Sequence, residues 1–318
     1  MTGKFSIVLF LAIALGITAC AQESEKTETT GTPALETTAA AGVEPQDFNA
    51  PDRAWRDIDP ENTLYVDTDY GRMVVELYPE ISPGHVARIK TLARQKFYDS
   101  MTFHRVINDF MNQTGDPRGD GTGSSDLPDL QAEFTFRRAG DMPVTLVDTR
   151  GAGPETGEKS VGFYKAMPVA TDPIAQAMLT RDGKVESFGI HCKGVASMAR
   201  AGAPDSANSQ FFLMRGSAPH LDAQYTAWGK TIWGHDVLTA IKVGTKGQTP
   251  DFIPDTMNRV RVVADVPAQD RLNVQVLKTD SPAFKNYLRQ YKDEDGFYAD
   301  ICDIEVPTRL KPEADTGP

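Results

Sequence analysis

The hydrophobic positions fall first into two strand-like runs, residues 64–68 and 72–78, on either side of the turn-forming trio Asp69-Tyr70-Gly71. Such a pattern predicts a β-hairpin. The period then changes. Ser82 offers an N-cap and Pro83 a first helical residue, and Val86, Ile89 and Ala93 share one face, so a helix is predicted to about Lys96. Short apolar runs follow at 102–107, 110–113, 133–136, 195–198, 210–214 and 226–228, separated by Gly, Pro and Asp. A second helix fits 236–243, where Val237, Leu238 and Ile241 lie together. Many short strands, frequent turn residues and two main helices predict a mainly β fold: a closed antiparallel barrel capped by helices. Further on, Ser281-Pro282 opens a helix with Phe284, Tyr287, Leu288 and Tyr291 on one face, and 298–306 reads as a final strand.

The ends of the chain follow other rules. Lys4 precedes an apolar stretch at 5–17, and Ile17-Thr18-Ala19-Cys20 closes it with small residues before a cysteine. This resembles a bacterial lipobox, which implies removal of 1–19 and acylation of Cys20. The apolar run falls short of the roughly 20 residues that span a bilayer. Several acyl chains on one residue hold firmly where a single chain binds marginally. Ala21 is not the aspartate that marks inner-membrane retention in enteric bacteria, which favours the outer membrane. Residues 21 to about 50 are mostly Thr, Ala, Glu, Gly and Pro, too poor in large apolar side chains to offset ordering entropy, and 20–55 is expected to form a tether.

With 318 residues, 40% of them apolar and 24% charged, the chain can bury a sizeable core. Its formal net charge of −11 makes nucleic acid a poor partner. Three tempting motifs fail. Gly119-Asp120-Gly121-Thr122-Gly123 looks like a phosphate loop but runs into Leu127-Pro128, where a nucleotide-binding helix must start. The loop from Asp116 suggests a calcium hand, yet Arg118 takes a ligand position and Leu127 replaces the closing glutamate. The five histidines and Cys192 lack zinc spacing, so no metal is expected. His104 reads as a hydrogen-bonded core histidine.

Two stretches carry chemistry. Phe103-His104-Arg105-Val106 runs into Phe110-Met111-Asn112-Gln113-Thr114-Gly115-Asp116, and Ser209-Gln210-Phe211-Phe212-Leu213-Met214 follows about a hundred residues later. Both set polar side chains among large apolar ones, which suits a pocket that grips a proline ring. Rotation of an X-Pro amide is slow because resonance sets a barrier of about 18 to 20 kcal/mol. Lowering it needs a donor to the prolyl nitrogen, an apolar slot and polar anchors, and no cofactor. These motifs resemble the cyclophilin family of peptidyl-prolyl isomerases, over a span from Leu64 to Ile241 broken by one insertion at about 140–191. The resemblance implies a cyclophilin-like barrel in an isomerase domain at 56–280, with a C-terminal extension at 281–318. It also implies Arg105 as donor to the nitrogen and Gln113 as the hydrogen-bonding partner of the substrate backbone. Phe110, Met111, Phe212 and Leu221 match the family's proline pocket, Gln210 the base of the groove, and Ala199, Arg200 and Ala201 the edge that pairs with extended substrate. Arg200 replaces the usual asparagine. Tyr225 stands where many members have histidine, and His220 where many have the tryptophan associated with cyclosporin binding.

The predicted function is therefore isomerisation of proline-containing polypeptides by a monomeric, lipid-anchored, periplasm-facing enzyme of the cell envelope. The rivals are a proline-peptide-binding chaperone or scaffold without turnover, and a purely structural lipoprotein, which needs no groove. After acylation of Cys20 only Cys192 and Cys302 remain, and they can form a disulfide or stay as buried thiols.

Overall fold

The computed structural model describes residues 48–149, 152–153 and 157–312; the expected leader, Cys20 and most of the tether lie outside them. Among these residues nine antiparallel strands form the main sheet. Their order is Gly244–Thr245, Arg105–Ile107, Met111–Thr114, Phe211–Met214, Val195–Met198, Ala227–Trp233, Gly71–Leu77, Thr63–Thr68 and Arg259–Val262. The sheet curls as expected for a barrel, but its ladder is not continuous all the way round. Closure runs through the short ribbon of Met101–Thr102 and Thr256–Met257, whose strands lead into Arg105–Ile107 and Arg259–Val262.

Strand alternation sorts side chains between two cores. Phe211 and Leu213 point into the barrel with Leu64, Val75, Val106 and Trp228, whereas Phe212 and Met214 join an outer cluster with Val74, Phe163, Val276 and Phe284. Burial on both faces is why the barrel strands read as nearly unbroken apolar runs.

The first helix, Pro83–Arg94, buries Val86, Ile89, Leu92 and Ala93. Its cap differs from the sequence expectation. The Ser82 hydroxyl donates to Ala227 O (3.1 Å), and the Glu133 carboxylate instead accepts from Gly84 N and His85 N, each at 3.0 Å. An anion there also complements the helix dipole. Burial opposes ionisation of Glu133, but hydrogen bonds from His85 and Gly84 outweigh it and hold the pKa below the usual carboxylate value. Glu133 is thus drawn out of the strand expected at 133–136, and pairing begins at Phe136 in a different sheet. The second helix is shorter than expected, His235–Ala240.

The insertion and the strand just before it form a sheet of five antiparallel strands, ordered Phe136–Arg138, Val185–Gly189, Met167–Thr171, Ser160–Tyr164 and Thr145–Asp148. At the other end, Trp55–Asp57, Val274–Leu277 and Thr308–Leu310 make a small sheet. The helix Pro282–Tyr287 is capped by the Ser281 hydroxyl, which accepts from Phe284 N at 3.1 Å. Phe284 meets Phe163 of the insertion edge-on, at 5.7 Å between centroids. The strand expected at 298–306 is absent. The Asp300 side chain accepts from Cys302 N and nucleates a 3-10 turn, Ile301–Asp303, so the last strand comes later. Cys192 and Cys302 are joined by a disulfide, with Cα atoms 4.9 Å apart. No helix among the described residues is long and apolar enough to cross a membrane.

Candidate active site

The site is built by register. Arg105 pairs with Gln113, Gln113 with Phe212, and Phe212 with Ser197, so these four side chains form one row across four strands on one face. Within that row Arg105 Nη1 donates to Gln113 Oε1 at 3.1 Å, and Gln113 Nε2 donates to Gln210 Oε1 at 3.0 Å. Gln210 Nε2 in turn donates to Gly121 O (3.1 Å) and Gly123 O (2.8 Å), which ties the glycine-rich loop to the base of the groove. A guanidinium so aimed keeps its remaining N–H donors for a ligand, and no carboxylate among the described residues pairs with it.

The apolar slot lies beside this row. Met111, Phe212 and Leu221 are buried in one cluster, with Phe110, Ala199 and Tyr225 packed against it. Met111 Sδ sits 3.9 Å from Arg105 Nη1, and the Arg105 guanidinium lies 6.0 Å from the Phe110 ring centre. Phe212 meets Tyr225 edge-on at 5.9 Å, and His220 stacks on Phe110 at 5.8 Å. Ala199, Arg200 and Ala201 line a cavity of about 320 Å³ together with Gln113 and Gln210. These contacts link Arg105, Phe110, Met111, Gln113, Gln210, Phe212 and Tyr225, beside the cavity that Ala199, Arg200 and Ala201 line. Arg200 turns away from the role of a free edge side chain: its Nε donates to Gln224 O at 3.2 Å, and its guanidinium covers the Tyr225 ring at 4.6 Å.

Sequence reasoning missed a second layer. His191 Nδ1 lies 2.9 Å from Asp222 Oδ1, and its Nε2 lies 2.8 Å from the Ser197 hydroxyl. These are the distances of a hydrolytic triad. Ser197 and His191 are each 0% exposed, however, and the imidazole stacks on Phe212 at 6.3 Å, so no scissile carbonyl can reach the hydroxyl. The chain instead braces the prolyl wall from behind. Residues 6 and 31 positions apart make it, a spacing with no local signature.

The rejected motifs also find physical reasons. The would-be phosphate loop wraps around its own anion: Asp116 accepts from Arg118 N (2.8 Å), Asp120 N (3.0 Å) and Gly121 N (2.5 Å). Burial raises the Asp116 pKa, yet these backbone donors outweigh it and hold the carboxyl below its usual value. No group of metal-ligating side chains occurs among the described residues. His104 is buried, but neither ring nitrogen has a hydrogen-bond partner among the described residues, contrary to the sequence expectation, and desolvation lowers its pKa from 6.5.

Comparison with known proteins agrees with this geometry. Residues 63–262 match the family model of the cyclophilin type peptidyl-prolyl cis-trans isomerases. A probable peptidyl-prolyl cis-trans isomerase of Brucella suis biovar 1 (strain 1330) is 32% identical over 219 residues, 65% of this chain and 85% of that protein. Peptidyl-prolyl cis-trans isomerase B of Bacillus subtilis (strain 168) is 30% identical over 194 residues, 61% of this chain and 92% of the relative. The crystal structure of cyclophilin AquaCyp293 from Hirschia baltica superposes with a TM-score of 0.72 at 34% identity, covering 82% of this chain and 95% of that one. The chain belongs to the cyclophilin family and is a cyclophilin-type peptidyl-prolyl cis-trans isomerase.

Proposed function

We propose that this isomerase acts on X-Pro bonds of unfolded or maturing polypeptides in the bacterial cell envelope, held to a membrane by acyl chains on Cys20 and facing the periplasm. The observation that carries the substrate reading is the Arg105 to Gln113 contact of 3.1 Å set against the Phe110, Met111, Phe212 and Leu221 slot. The slot grips the ring in both isomers. Arg105 donates most strongly when the rotating nitrogen loses amide resonance and regains its lone pair, which is differential binding of the transition state. Backbone groups at Arg200 and Ala201, beside the cavity, serve extended substrate on either side of the proline. The periplasmic placement draws support from the Cys192 to Cys302 disulfide, a bond that oxidising compartments favour.

Two experiments test the parts separately. Exchange NMR on an Ala-Pro peptide is expected to show accelerated cis/trans exchange with the purified protein; exchange at the uncatalysed rate refutes the substrate reading. Fractionation of cells expressing the full chain is expected to place it in the outer-membrane fraction with acyl chains on Cys20, and Cys20→Ser is expected to release it or leave it unprocessed. A soluble, unmodified wild-type protein refutes the anchor.

A further inference from the structure

The insertion holds a buried charge that the isomerase mechanism does not use. Strand pairing sets Phe136, Ser187, Thr171 and Ser160 in one row across the insertion sheet, with Arg138 opposite Val185 on the same face. Arg138 is only 7% exposed. Its Nε donates to the Thr171 hydroxyl at 2.8 Å and its Nη2 to Asp172 O at 3.4 Å. No carboxylate among the described residues pairs with it; Asp172, which lines the same cavity, accepts at Oδ1 from Lys159 Nζ at 2.7 Å. Burial, unopposed by any neighbouring anion, depresses the guanidinium pKa. Five N–H donors are thus only partly used, and a buried cation without a counter-ion is costly.

Arg138 lines a cavity of about 110 Å³. Ser160, 3% exposed and with no hydrogen bond to its hydroxyl among the described residues, shares the polar side. Leu146 and Ile174 form the apolar side and are 45% and 43% exposed, so the mouth opens to solvent. Met178 and Leu179, 90% and 85% exposed, continue that apolar strip along the 3-10 helix Ile174–Leu179. A planar fork of donors beside a hydroxyl matches a carboxylate, and the apolar strip matches an aliphatic group attached close to it.

We propose that this cavity is a second ligand site, which binds the carboxylate of a polypeptide segment through Arg138 and Ser160 while Leu146 and Ile174 hold an adjacent aliphatic side chain. A polypeptide occupant follows from the isomerase activity, whose substrates are polypeptides. The carboxylate comes from an acidic side chain or from a chain terminus. Bound there, a client segment is retained by the insertion independently of its prolines.

The test titrates the purified protein with three peptides that lack proline: acetyl-Gly-Ala-Leu with a free carboxylate, the same peptide as its amide, and acetyl-Ala-Glu-Leu-Ala-amide. The readout is amide NMR shifts at Thr171 and Ser160. At least one acid peptide is expected to bind at least about tenfold more tightly than the neutral amide, the loss of a charge-assisted hydrogen bond, and whichever is tighter identifies the source. Arg138→Met is expected to abolish this preference. Because that variant can disturb the sheet, Leu146→Glu provides a second arm: it lies at the exposed mouth, sets a competing carboxylate there, and is expected to weaken the acid peptides by about tenfold while Ala-Pro exchange stays unchanged. Equal affinity for acid and amide, or acid binding unaffected by both substitutions, overturns the proposal. So does binding of phosphatidylglycerol vesicles through this site without binding of either acid peptide, which assigns the cavity to a lipid headgroup.

Discussion

Arg105 in the groove and Arg138 in the insertion sheet are both guanidiniums that no carboxylate among the described residues neutralises, and they are held in opposite ways. Arg105 is half-buried, oriented by Gln113 and reachable from solvent, so its charge stays hydrated until substrate covers it. Arg138 is 7% exposed and has already lost most of its water. The first arrangement costs little when idle, which suits a group needed only as a bond rotates. The second is costly unless something occupies the cavity beside it. Both regions nevertheless rest on one outer core, since Met111 and Phe212 belong to the same cluster as Phe163, Met167 and Phe284.

That shared core can be broken from the C-terminal helix that packs against the insertion. Phe284→Ala removes a 0% exposed ring from its edge contact with Phe163 and is expected to destabilise the protein by about 3 to 5 kcal/mol in urea denaturation. Exchange catalysis at low urea is expected to persist, because the Arg105 row is set by barrel register; loss of catalysis from a still-folded variant means the two regions are one mechanical unit.

Next in size is the disulfide. Cys302→Ser is expected to cost about 2 to 4 kcal/mol, chiefly by freeing the unfolded chain. Urea midpoints that match between the variant and the wild type, both without reductant, contradict that closure of the loop matters.

The smallest effect sharpens the groove side. His104, next to Arg105, is buried without hydrogen-bond partners among the described residues, and desolvation sets its folded pKa below 6.5. The unfolded state therefore takes up a proton that the folded state refuses. Stability from this residue is complete above the unfolded pKa of about 6.5 and is lost as pH falls through it toward the lower folded pKa. His104→Leu is expected to flatten the fall in urea midpoint over that range; an unchanged slope assigns the acid sensitivity elsewhere. A separate decline, at lower pH, is expected from Glu305, whose pairing with Lys230 and His235 outweighs desolvation and holds its pKa at about 2.

How much of this was legible depends on how locally each feature is encoded. The hairpin, the first helix and the barrel strands rest on periods of two and 3.6 within single runs, and they lie close to where the pattern puts them. The groove was legible because Arg105, Met111 and Gln113 sit on two strands and Phe110 in the tight turn that joins them, and one motif carries them all. The cap on the first helix was not, because Glu133 lies 49 residues from the backbone N–H of Gly84. Arg138 was hidden for the same reason. Its partner Thr171 is 33 residues away, on the next strand but one of a sheet whose register no single run reveals. The final strand was misplaced because a side-chain cap at Asp300 competes with pairing, a local contest that apolar counting ignores.

The central claim is that Arg105 acts as rotation proceeds whereas the apolar slot binds throughout. It is tested most directly by exchange NMR on an Ala-Pro peptide, with binding titrations alongside, for wild type, Arg105→Ala and Phe212→Ala. Losing a hydrogen bond from a charged donor is worth about 1.5 to 3 kcal/mol, so Arg105→Ala is expected to slow bound-state exchange by roughly ten-fold to over a hundred-fold with little loss of affinity. Phe212→Ala is expected to weaken affinity and exchange together. An Arg105→Ala protein that exchanges the peptide at the wild-type rate contradicts the account.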